Sequence, residues 1–148
     1  MSADPRELLA ISRGVRWDFP SSAGNPLRDR ADAEPLLARR DDFLAASTTL
    51  DPDEATELAA NIWRLWIVAR DFAGGRAFLA TVLDGRRAPR SRWRALALCG
   101  DGVFAWWQGE REDARRSETA DAFFAESPMA GVAIDDRFEL DWLRDQLR

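Results

Sequence analysis

Residues 61–79 read NIWRLWIVARDFAGGRAFL: two tryptophans three positions apart, an apolar run, then a break at Arg-Asp-Phe-Ala-Gly-Gly. Positions three and four apart share one side of a helix, so Trp63 and Trp66 join Ile62, Leu58 and Ala59 in a single stripe. Such a pair either lines a binding site or packs between two helices. The break favours packing, because Gly74 and Gly75 are small enough for a second helix to return closely against the first. That second helix brings its own apolar residues, Phe78, Leu79 and Val82, and Phe72 stands in the turn. The stretch predicts a helical hairpin with Ile62, Trp63, Trp66, Phe72, Phe78 and Leu79 packed between its arms.

Upstream, LDPDEATELAANIWRLWIVARD predicts one long helix, with Asp51 as N-cap, Pro52 in the first position, and Asp53 and Glu54 where acids suit the helix dipole. PLLARRDDFLAAS places Leu36, Leu37, Arg40, Phe43 and Leu44 on one helical side. DPRELLAISRG is a short helix capped by Asp4 and stopped at Gly14. WDFPSSAGNP, residues 17–26, is rich in Pro, Gly and Ser and reads as a loop. It divides the chain into an N-terminal arm (1–26) and a body (27–148), with Trp17 and Phe19 tucked against the body. Downstream, the hairpin's second helix stops at Gly85. APRSRWRALALCGDGVFAWWQG is another long helix, with Trp93, Leu96, Ala97, Gly100, Phe104 and Trp107 at helical spacing and Gly102 as a small packing residue. EREDARRSETADAFFAES and DDRFELDWLRDQLR complete the set, the last as a capping helix. No stretch alternates like a strand. The expected fold is all-α: six to seven helices in stacked antiparallel pairs, with no sheet.

Composition removes several classes of chemistry. The 148 residues contain no histidine, no tyrosine and one cysteine, Cys99. That excludes an internal disulfide, cysteine-cluster metal sites and every histidine-assisted nucleophile. Carboxylates and arginines remain, without a catalytic motif, so no catalytic residue, metal or cofactor is expected. Asp41-Asp42, Asp135-Asp136 and EREDARR (110–116) read as solvated faces. A net charge of −5 opposes nucleic-acid binding. No apolar run approaches the roughly 20 residues that span a bilayer, and MSADPRELLA lacks the pattern of a signal peptide, so a cytoplasmic protein is expected. All 21 basic residues are arginine. A GC-rich coding sequence accounts for this more simply than selection for bidentate pairing.

A period runs through the chain. Aligning Asp71-Phe72 with Glu110-Arg111, 39 positions on, superimposes two units of long apolar helix, acid-bearing turn and second helix. The first unit carries Leu58, Ala59 and Ala60, then Trp63 and Trp66, then Arg70 and Asp71, then Gly75, Arg76 and Leu79, preceded by RRDDFLAAS. This pattern resembles the tetratricopeptide repeat and, more narrowly, the helical-repeat region of bacterial STAND-type and LuxR-like transcriptional activators, over about residues 36–120. The chain has neither the P-loop nor the DNA-reading module of those activators, and Glu118 and Asp121 replace the usual small or apolar residues.

The resemblance implies a right-handed superhelix whose first helices line a concave groove. Carried across, the groove positions are Glu57, Ala60, Arg64, Ile67 and Val68 in one unit, and Leu96, Cys99, Val103, Trp106 and Trp107 in the next. Cys99 reads equally as a small buried hydrophobe. Two functions follow. One is a non-enzymatic interaction module taking a peptide, a helix or its own copy into the groove. The other is a sensor or small enzyme in which Arg64, Arg94 and the tryptophans enclose an anionic or aromatic ligand. The absence of catalytic residue types favours the first.

Overall fold

The computed structural model describes residues 3–15, 30–83 and 92–109. Among these there are helical segments and no strand, so the all-α expectation holds. The loop at 17–26, the stop at Gly85 and both helices expected after Gly109 lie outside the described residues.

Helix α1 (Pro5–Arg13) begins where the Asp4 carboxylate accepts the Arg6 N–H, and ends where the Gly14 N–H turns back to the Ile11 carbonyl. Its buried Leu8 and Leu9 belong to the main core, and the helix packs on α3 and α4. Polar contacts fasten the same seam. Arg13 donates to both Glu57 carboxylate oxygens, at 2.6 and 3.0 Å, and Asn61 donates to Ser12 Oγ at 3.2 Å. The helix expected in an N-terminal arm is therefore part of the body.

PLLARRDDFLAAS divides into α2 (Arg30–Leu37) and α3 (Arg40–Thr49). At the break the Arg39 N–H reaches back only three residues, to Leu36, and Arg39 leaves helical geometry at φ −102°, ψ 16°. Tertiary packing explains the departure from one helix: α2 lies against α5, whereas α3 lies against α1, α4 and α6. A straight rod would not serve both directions. After α3, Leu50 and Asp51 are extended, and Asp51 caps α4 (Pro52–Ile62) by accepting the N–H groups of Asp53 and Glu54. The Glu54 amide, foremost, holds the Asp51 carboxyl below its ordinary value. A depressed pKa in the folded state means the cap contributes stability above the unfolded carboxyl's pKa and loses it as pH falls through the lowered one.

The long helix expected through Asp71 is interrupted at Trp63, beyond which α5 (Arg64–Val68) continues. Its end forms a Schellman turn. The Asp71 N–H bonds the Trp66 carbonyl and the Arg70 N–H bonds the Ile67 carbonyl, with Arg70 left-handed at φ 55°. Asp71 then opens α6 (Phe72–Leu83), its carboxylate accepting the Gly74 N–H at 2.9 Å while Arg40 stands 3.5 Å from the other oxygen. A side chain at Gly74 would run into that carboxylate.

Helix α7 (Arg92–Trp107) packs on α4 and α6, and glycines set how closely. A methyl group at Gly100 would fall 2.7 Å from Trp63 Cδ2, and one at Gly75 would fall 2.5 Å from Phe104 Cε2. Trp63 and Phe104 meet edge to face at 5.7 Å between centroids, and Trp66 stacks on Phe78 at 4.3 Å. All four rings are buried. Trp63→Ala empties the centre of this cluster and is expected to cost about 3–5 kcal/mol. Gly100→Ala overfills it and is expected to cost about 1–3 kcal/mol. Urea midpoints check both; an unmoved midpoint for either contradicts the seating of α7 on Trp63.

Candidate functional site

Helix α7 meets α4 through short side chains. Ala60 of α4 joins Ala95, Leu96 and Cys99 of α7 in a small buried cluster, edged by the half-buried Trp93 and Leu98. The structure thus brings together three expected groove positions, Ala60, Leu96 and Cys99, but as packed interior. Val103 is also buried and belongs to the main core instead. Arg64 is only 4% exposed, with its guanidinium carbon 4.8 Å from the centroid of the Trp63 ring, a cation–π distance. Glu57 holds Arg13, Val68 is buried and Ile67 is half-buried.

These placements correct the sequence-based groove. Arg64, Leu96, Cys99 and Val103 are buried, and Leu96 and Cys99 pack with Ala60 and Ala95 where α7 meets α4. Of the expected contact residues, Trp107 is the exposed one, at 54%; the Trp106 side chain lies outside the described residues. The packing positions fall differently. Ile62, Trp63, Trp66, Phe78 and Leu79 are buried, Phe72 is half-buried, and Gly102 is buried while the close approach is made at Gly100.

At the end of α7 the Trp107 ring stacks on Phe72 at 5.8 Å, nearly parallel at 12°, and Phe72 in turn leans on the buried Phe104. An aromatic ledge therefore runs from the core to solvent where the α5–α6 turn meets the end of α7. Arg70 and Ala73 in and after that turn are exposed. The stack holds one face of an indole flat and leaves much of the ring in water, a large rigid apolar surface of the kind that anchors interfaces.

Sequence reasoning missed the ion pair behind this ledge. Arg76 of α6 donates from Nε to Asp101 Oδ1 of α7 at 3.1 Å, with the two side chains 19% and 4% exposed. The signal was present: Asp101 is a lone charge in the apolar run LCGDGVF, and a charge on a packed helix needs a partner. Arg94, expected in a ligand pocket, reaches the Leu83 carbonyl from Nη2 at 3.5 Å. The indole Nε1 of Trp63 is buried without a hydrogen-bond partner, a cost accepted where the ring fills the α4–α7 crossing.

No grouping of three or more His, Cys, Asp or Glu suited to a metal ion occurs among the described residues. No helix among them is long and apolar enough to cross a membrane. No protein-family model, curated protein or solved structure matches the chain.

Replacing Asp101 by Ala leaves the largely buried Arg76 guanidinium without this carboxylate, and replacing Arg76 by Met leaves the buried carboxylate without this cation. Each change is expected to cost about 3 kcal/mol, the scale of breaking a buried pair from one side. The double variant should cost clearly less than the sum. Equal single and additive double effects near zero, read by chemical denaturation, would show that the pair does not hold α6 to α7.

Proposed function

We propose that the chain is a non-enzymatic protein–protein interaction module: a small adaptor built on tetratricopeptide-like helix pairs, acting in the cytoplasm, that takes a peptide or helix of another protein or a second copy of itself. The observation that carries this reading is the order in which helices touch. Setting α2 aside and counting α4 with α5, α1 lies on α3 and α4, α3 on α4 and α6, α4 on α6 and α7, and α6 on α7. Each helix packs on the next and on the next but one. Stacked hairpins pack this way, since no single pair buries its own apolar side.

The glycines at the crossings fit the same reading. Gly75 stands where α6 meets α7, and Gly100 where α7 meets Trp63 at the end of α4, as small residues do at the helix crossings of such repeats. The surface offered to a partner is not the concave groove expected from the sequence but the ledge at the end of α7. The small-molecule alternative loses support, because Arg64 lies over Trp63 and Arg94 turns to the Leu83 carbonyl.

Trp107→Ala separates binding from folding. With the full chain immobilised, the wild type should retain a specific protein or peptide that Trp107→Ala releases, while helix content and melting temperature stay close to wild type. Light scattering on the free chain reads the self-association case. A chain that stays monomeric and retains nothing, or a Trp107→Ala variant that retains the same partner, overturns the reading.

A further inference from the structure

We draw no further inference here: the strongest candidate, the aromatic ledge of Phe72 and Trp107 where the α5–α6 turn meets the end of α7, belongs to the site already described, and nothing among the described residues shows what covers it.

Discussion

Any side chain at Gly100 would run into the Trp63 indole, and this close approach fixes where α7 can be. A larger residue at position 100 would hold the helices apart; a smaller one at position 63 would leave the crossing empty. With the distance set there, Phe104 reaches Gly75 on α6 and meets Trp63 edge-on, so three helices converge on two rings and two glycines. The Arg76–Asp101 pair lies on the same α6–α7 seam. Its two charges are tolerable only because the seam closes far enough to bring them to hydrogen-bonding distance. Even the exposed end of α7 depends on this arrangement, since Phe72 leans inward on Phe104 and outward on Trp107.

Local features were legible in the sequence because local physics decides them. Asp4 and Asp51 cap helices from positions where an acid precedes a proline, and both do so through backbone N–H groups two or three residues on. The tryptophan stripe and the small residues of the turn announced a hairpin. The two helix breaks were invisible for the opposite reason. Neither Ala38-Arg39 nor Trp63 is a breaker by propensity, so the interruption at each comes from what the flanking segments must touch. The N-terminal helix shows the same limit: its apolar side was readable, while its seat on α3 and α4 was not.

The groove was misread because repeat register says which side of a helix a residue occupies but not how closely the neighbouring helix approaches. Ala60, Leu96 and Cys99 were all placed toward the groove, and they do cluster, but with Ala95 as buried interior. Arg64 was expected to face a partner or a ligand, yet its flexible chain folds over the adjacent Trp63 ring. Arg76 and Asp101 lie 25 positions apart, beyond any helical or turn pattern, so only the packed fold makes them a pair.

Asp71 takes part in both helices that flank it. Its amide completes the last bond of α5, its carboxylate caps the first turn of α6, and its carbonyl accepts the Gly75 N–H. One helix end therefore cannot fray while the other stays whole, because both draw on the same residue. The Trp66 carbonyl to which that amide is bonded belongs to a residue stacked on Phe78, so the junction is tied to the core as well. In terms of native-state opening, the end of α5 and the start of α6 form a single cooperative unit. The corner of the molecule that bears Phe72 is then held in place by the interior rather than left to move as an ordinary surface loop.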